Sequence, residues 1–338
     1  MLVRRGRRSG LFTIVAVHST VRGPSLGGCR MWRYDDTRAA LRDALRLSQA
    51  MTFKSAVANL PLGGGKGVIV LPPEPLVPRG RRDVLLDFAD TVQTLRGSYV
   101  TAEDVGTSAR DMQVIAQGTS HVSGLSRRRG GSGDPSPFTA LGVQAAIAAS
   151  CERAFGSASL RGRSICVSGL GHVGLPLAKG LLRAGATVLA SDIDGSKREV
   201  IRSAGGRWVA PAKALSQAVD VFAPCALGGT LTDESVAELQ APVVAGAANN
   251  QLADDEVAEL LADRGILWAP DFVANAGGII NIAVELEPEG YDPARARLRV
   301  RGIGDTIREV FDEAVASRTT PLGAAMRLAK RRLDQAAN

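Results

Sequence analysis

A chain of 338 residues, 45% apolar and 22% charged, exceeds what one core serves comfortably, so two globular domains are expected. No run of about 18 apolar residues occurs, which excludes a helix that crosses a membrane. The net charge of +7 is spread along the chain and aromatics make up only 4%, a composition that argues against a nucleic-acid surface.

The start, Met1-Leu2-Val3-Arg4-Arg5-Gly6-Arg7-Arg8, is basic but lacks the long apolar stretch and small-residue cleavage site of a signal peptide. Leu11–Val17 reads as a strand, and residues 36–53 as an amphipathic helix with apolar positions at Ala40, Leu41, Ala44, Leu45 and Leu47. Gly67–Leu71 reads as a buried strand stopped by Pro72-Pro73, residues 81–96 as a helix, and Tyr99–Thr101 as strand and turn. The Gly/Pro/Ser-rich run from Arg129 to Pro137 is the candidate crossing between domains. A helix from Thr139 to about Ala154 leads into a second pattern: strands at Ser164–Ser168, Ala186–Ala190, Val219–Ala223, Val243–Ala245 and Ile266–Trp268, with a helix at 173–184. Strands separated by helical stretches imply parallel βαβ units. From about 293 the chain reads as amphipathic helices. The four cysteines, Cys29, Cys151, Cys166 and Cys225, form no CxxC pair, which argues against structural zinc or a disulfide framework and for a reducing cytoplasm.

Gly169-Leu170-Gly171-His172-Val173-Gly174 fits GxGxxG, follows an apolar strand and opens a helix. In that context Gly169, Gly171 and Gly174 permit a tight turn and close backbone approach to a pyrophosphate at the helix N-terminus. Asp192 ends the next strand, where a carboxylate accepts from both ribose hydroxyls and repels a 2′-phosphate, so NAD is expected rather than NADP. His172 reads as a loop residue.

The 41 basic residues include only six lysines: Lys54, Lys66, Lys179, Lys197, Lys213 and Lys330. Arg cannot release its proton in a protein, whereas a desolvated Lys can. Lys66 ends the run Leu62-Gly63-Gly64-Gly65, where a substrate could come close and an amine lose solvent. Lys54 supplies a fixed charge suited to a carboxylate and, as a like charge, would depress Lys66 further. Residue types alone leave a second reading open, of two solvated lysines and a glycine-rich turn.

The segments Gly27-Gly28-Cys29-Arg30-Met31-Trp32, Met51-Thr52-Phe53-Lys54, Leu62–Lys66 and Thr101-Ala102-Glu103-Asp104-Val105-Gly106-Thr107 resemble the Glu/Leu/Phe/Val dehydrogenase family, most closely its leucine, valine and phenylalanine branch. The similarity continues through residues 135–140, 222–228, 246–252 and 269–278, and spans about Leu11 to Arg332. The resemblance implies an α/β protein of two domains with a cleft, cytoplasmic and homo-oligomeric. Residues 1–135 would bind substrate and oligomerise, joined by a returning helix at 318–338, and 136–317 would form the Rossmann-type NAD domain. It also implies Lys66 as general base activating water, Asp104 as the proton partner of the amine, and Lys54 with backbone at Gly27 and Gly28 as the carboxylate holder. Met51 joins the substrate site, and Asn275 would help position the substrate carboxylate. Thr139, Cys225, Ala226 and Asn249 join the cofactor site, Thr139 at the carboxamide and Asn249 at the nicotinamide ribose. No metal is expected.

Leu26 stands where glutamate-specific relatives carry a lysine for the distal carboxylate, so glutamate is disfavoured: an unpaired buried charge costs several kcal/mol. Ile279 and Ile282 would narrow the pocket, with Ala102 as a small wall, favouring a branched-chain L-amino acid, its 2-oxo acid and ammonia. The chain departs from the family in its Arg-rich start, Pro72 and the segment Ile282–Leu286. Aromatic amino acids, an unusual 2-oxo acid, or a silent NAD-binding protein on the same scaffold stand as alternatives.

Overall fold

A computed structural model describes residues 1–337, which divide into two compact units. The first comprises Met1–Asp134, Ile282–Pro293 and the chain from Ala329 on; the second comprises Pro135–Asn281 and Ala294–Leu328. Residues 282–293, which the sequence reading leaves with the dinucleotide domain, group with the first unit, and 318–328 with the second.

The first unit runs β1 (Leu2–Arg5), β2 (Phe12–Ser19), β3 (Ser25–Trp32), α1 (Thr37–Val57), β4 (Gly63–Val70), α2 (Pro78–Thr94), β5 (Tyr99–Glu103) and α3 (Ala109–Ile115). Its sheet has the order β1-β2-β4-β3-β5, with β3 parallel to both β4 and β5 and β2 antiparallel to β4. The crossover β3–α1–β4 moves one way across the sheet and β4–α2–β5 the other, so right-handed connections place α1 and α2 on opposite faces. The packing agrees. Ile14, Ala16 and Val68 meet Ala40 and Ala44 of α1, while Val15, Cys29, Met31, Ile69 and Tyr99 meet Val84, Phe88 and Val92 of α2. Each large side chain fully buried there contributes about 1.5–3 kcal/mol.

The basic start is an ordered edge rather than a tail. β1 pairs with β2, Arg4 Nη1 donates to Thr94 Oγ1 (2.8 Å), and Arg8 Nη1 meets Asp87 (3.1 Å) and Asp90 (2.6 Å) on α2. Helix α1 starts at Asp36, whose carboxylate accepts from Ala39 N–H at 2.6 Å, and it buries the small residues Ala40, Ala44, Ser48, Thr52 and Ser55 along one stripe. Its far end is tied to the last residues of the chain: Arg332 Nη1 donates to Val57 O, and Arg22 donates to both Arg332 O (2.6 Å) and Leu60 O (2.9 Å).

The second unit runs α4 (Ser136–Phe155), β6 (Ser164–Ser168), α5 (Gly174–Arg183), β7 (Thr187–Ser191), α6 (Lys197–Ser203), β8 (Arg207–Trp208), β9 (Val221–Pro224), α7 (Asp233–Glu238), β10 (Val243–Val244), α8 (Val257–Asp263), β11 (Leu267–Trp268) and α9 (Asp271–Ala274). All six strands are parallel in the order β11-β10-β9-β6-β7-β8, the doubly wound arrangement of a Rossmann sheet. The order reverses at β6, so the loop leaving β6 stands at the switch point, flanked by the C-terminal ends of β7 and β9. The remaining helices are α10 (Gly277–Glu285), α11 (Pro293–Arg301), α12 (Ile303–Ala316) and α13 (Pro321–Ala337), and α12 packs on α4.

Candidate active site

The glycine run before Lys66 is β-strand, not turn, and its glycines are filled by protein. A Cβ on Gly64 would meet Thr52 N of α1 at 2.1 Å, one on Gly65 the Tyr99 ring at 2.6 Å, and one on Gly67 the Phe88 ring at 2.4 Å. The missing side chains therefore let α1, Tyr99 and Phe88 close on β4, rather than leave space for a ligand. Residues of one strand alternate between faces. Lys66 shares the α1 face with Gly64 and Val68, and Leu26, Gly28, Arg30 and Ala102 share that face through the β3–β4 and β3–β5 registers.

Lys66 is 5% exposed, and its Nζ donates to Asp104 Oδ2 at 2.5 Å. That burial removes the solvated-lysine alternative for this residue. Burial drags the ammonium down from its usual value near 10.5; Asp104 pulls it back up, the Arg30 guanidinium adds to the lowering, and the net is downward. Burial pushes the Asp104 carboxyl up, but Lys66 and Arg30 outweigh it and hold it below its ordinary value. A positive group lies against the pair in Arg30: its Nε lies 3.2 Å from Asp104 Oδ2 and its Nη1 3.0 Å from Asp43 Oδ2.

Asp104 sits on a pinned turn. Its N–H donates to Thr107 Oγ1 (2.9 Å), and that hydroxyl donates to Cys29 O (2.8 Å). Gly106 has φ +81° and approaches Met31 O so closely that a Cβ would stand 2.0 Å from it. Tyr99 Oη donates to Gly27 O at 2.6 Å, which fixes the glycine pair of β3. Lys54 lies half-buried in the last turn of α1, near Met51 in sequence, and Leu26 (1% exposed) and Ala102 (4%) are buried. Ile282, also in the first unit, is buried. Sequence reasoning missed Arg30, Asp43, Tyr99 and Thr107. Arg30 and Thr107 lay inside quoted motifs, but nothing in their spacing shows a shared carboxylate.

In the second unit Gly169 (φ +101°) lies against Ala226, where a Cβ would come within 2.8 Å, and a Cβ on Gly174 would stand 1.9 Å from Gly169 O and 3.1 Å from Cys225 Cβ. Gly171 differs: a Cβ there would meet nothing within 4 Å. Asp192 turns back onto this loop, accepting from Leu170 N–H at 2.6 Å and Asp194 N–H at 2.8 Å. Burial raises its pKa, but these two N–H groups and Lys197, 3.4 Å away, outweigh it and hold the carboxylate ionised below the usual range. An open backbone turn, a helix start at Gly174 and an ionised acid beside it fit the pyrophosphate and ribose of a dinucleotide. Ile193 (96% exposed) and Leu227 (80%) follow the ends of β7 and β9 on either side of this loop, and neither was singled out from sequence. His172 is exposed in the loop.

Elsewhere in this unit Asn275 pairs with Asn249, and Thr139 packs against the glycines that follow Asn275. Asn275 Nδ2 donates to Ala247 O (3.1 Å) and Asn249 Oδ1 (2.9 Å), whereas its buried Oδ1 has no hydrogen-bond partner. Thr139 Oγ1 donates to Pro135 O at 3.2 Å, and a Cβ on Gly278 would stand 3.0 Å from it. Ile279 is buried in the following helix. Both Asn275 amide hydrogens are engaged, and the atom without a protein partner is an acceptor, which pairs with a hydroxyl or an amine.

Comparison with known proteins places these features in context. The model of the Glu/Leu/Phe/Val dehydrogenase dimerisation domain matches residues 3–121, and that of Glutamate/Leucine/Phenylalanine/Valine dehydrogenase matches residues 192–337. The chain is 43% identical to leucine dehydrogenase of Bacillus subtilis, over 97% of this chain and 89% of that one. It is 44% identical to valine dehydrogenase of Streptomyces virginiae, over 98% and 92%. The crystal structure of L-tryptophan dehydrogenase from Nostoc punctiforme superposes with a TM-score of 0.86 at 38% identity, covering 100% of this chain and 96% of that one. Among the described residues no helix is long and apolar enough to cross a membrane.

Proposed function

The chain belongs to the Glu/Leu/Phe/Val dehydrogenase family of dinucleotide-dependent amino acid oxidoreductases, and from that premise we propose that it deaminates a branched-chain L-amino acid to its 2-oxo acid and ammonia with NAD, reversibly. The observation that carries this reading is the buried Lys66 amine, held on Asp104 and depressed in pKa by its surroundings. A lowered pKa favours the neutral amine, the form that can take a proton from water attacking the substrate's iminium carbon.

Lys66 is the general base in this reading, and Asp104 exchanges a proton with the substrate nitrogen. Lys54, with backbone at Gly27 and Gly28, holds the carboxylate. Leu26, Met51, Ala102, Ile279 and Ile282 line the side chain's path, and Leu26 leaves no charge for a distal carboxylate, which disfavours glutamate. Gly169, Gly171, Gly174, Asp192, Cys225 and Ala226 would hold the dinucleotide, with Thr139 and Asn249 at its nicotinamide end. Asn275 would accept a hydrogen bond there rather than give one. Bound NAD supplies the oxidising equivalent, and the protein supplies position, charge and proton transfer. Asp192 disfavours a 2′-phosphate, although Lys197 offsets part of its charge. Assembly as a homo-oligomer follows the description of the matched dimerisation domain, and residence in the cytoplasm follows the scattered cysteines.

The test is NADH formation with purified protein and a panel of L-valine, L-leucine, L-isoleucine, L-phenylalanine, L-tryptophan and L-glutamate, repeated with NADP. The highest kcat/KM is expected for an aliphatic branched-chain substrate with NAD. The likeness to L-tryptophan dehydrogenase favours one second reading, an aromatic substrate. Faster turnover of tryptophan or phenylalanine would replace the first reading with it. For deamination, kcat/KM is expected to rise with pH through a limb below the usual lysine value, as Lys66 loses its proton.

A further inference from the structure

One carboxylate oxygen in the first unit serves two cations. Asp104 Oδ2 accepts from Lys66 Nζ at 2.5 Å and from Arg30 Nε at 3.2 Å. The other side of the Arg30 guanidinium is held by α1, where Nη1 meets Asp43 Oδ2 at 3.0 Å. Asp43 is fixed in turn by Tyr34 Oη (2.8 Å) and Arg46 Nη2 (3.0 Å). The Arg30, Asp43 and Asp104 side chains are all less than a quarter exposed, so this is not a solvated surface pair. We infer that Arg30 is a positioning residue, clamped between Asp43 and Asp104, that keeps Asp104 from closing on Lys66 alone and holds a fixed positive charge beside the amine. The inference rests on the reading of Lys66 as the base.

The physical argument concerns a buried pair. A lysine and an aspartate alone form a closed ion pair, and their attraction keeps the proton on nitrogen. A third, permanently charged group on the same oxygen competes for the carboxylate and repels the ammonium, so both effects favour the neutral amine. Arg suits this role because it stays charged and its planar fork can hold two carboxylates at once. Further ionisable groups on the elements packed around Lys66 are His18 on β2, Cys29 on β3, Arg38, Arg42, Arg46 and Lys54 on α1, and Tyr99 and Glu103 on β5. His18 Nδ1 lies 3.0 Å from Thr52 Oγ1, and burial pushes the Cys29 thiol well up, so that it stays neutral.

Six lysines make a direct measurement practical. The full-length protein carrying 13Cε-lysine gives few resonances, and the one lost in Lys66→Arg is that of Lys66. Its titration midpoint is read without turnover, beside the pH limb of kcat/KM for deamination. Arg30→Gln is expected to raise the Lys66 midpoint by about one unit, with the kinetic limb moving alongside. Asp43→Asn, which frees Arg30 to lean on Asp104 and removes a negative charge, is expected to lower both by a smaller step. Arg30→Lys keeps the charge and is expected to leave the midpoint nearer the parent value than Arg30→Gln does. A midpoint unchanged in Arg30→Gln, or shifts of the same sign in Arg30→Gln and Asp43→Asn, overturns the inference. If Arg30→Gln does not fold, the Asp43→Asn sign decides alone. Full turnover in Lys66→Ala would remove the base reading instead, while the lysine titration still judges what Arg30 does.

Discussion

Glycine clusters mark both units, and they solve opposite problems. On β4 the space above Gly64 is taken by Thr52 of α1, on the face that carries Lys66, and that above Gly65 and Gly67 by Tyr99 and Phe88 on the opposite face, so the run lets the protein close on both sides of the strand. In the loop after β6, Gly169 and Gly174 are likewise packed against their own chain, but the space above Gly171 is open. The first cluster packs both faces of the strand that carries Lys66. The second leaves one gap at a helix start where a ligand's backbone-bound phosphate can settle. A glycine-rich motif is thus not by itself a sign of a ligand, since what stands opposite the missing Cβ decides.

That contrast can be broken at four positions. Lys66→Ala is expected to lower kcat by about 10²–10⁴-fold, the range of a lost general base, and near-parental kcat would end the assignment. Lys54→Ala is expected to act mainly on KM, by about 10–100-fold, the worth of one charge-assisted hydrogen bond of about 1.5–3 kcal/mol; a change confined to kcat would contradict carboxylate binding. Gly65→Ala drives a methyl into the Tyr99 ring and is expected to cost about 1–3 kcal/mol of stability, read as a lower midpoint in urea. Gly171→Ala is expected to leave stability within about 0.5 kcal/mol while weakening NAD several-fold by calorimetry. Loss of stability without loss of NAD affinity would mean that the two glycine clusters do the same job.

Much of this architecture is legible in the sequence. The alternation of Ser164–Ser168, the GxGxxG string and the spacing to Asp192 announce the parallel sheet and its switch point, because local periodicity and turn chemistry carry that information. β1 and β3 are harder. β1 is masked by arginines whose partners, Asp87 and Asp90, lie far along the chain on α2. β3 is a motif whose glycines lower strand propensity, and the register with β4 and β5 makes it a strand. The candidate base and its carboxylate, Lys66 and Asp104, are found by motif, whereas the sharing of Asp104 with Arg30 depends on side-chain directions that spacing does not reveal. Asn275 is alike in this: residue type shows an amide, and only its neighbours show which end is spent.

The tie from Arg332 to Val57, and from Arg22 to Arg332, has a consequence for synthesis. Residues translated late complete a unit begun early, so the end of α1 that carries Lys54 lacks one of its fastenings until position 332 has left the ribosome. A nascent chain stalled before that point would leave the Val57 carbonyl to water and to chaperones, although the whole five-stranded sheet of this unit was already translated.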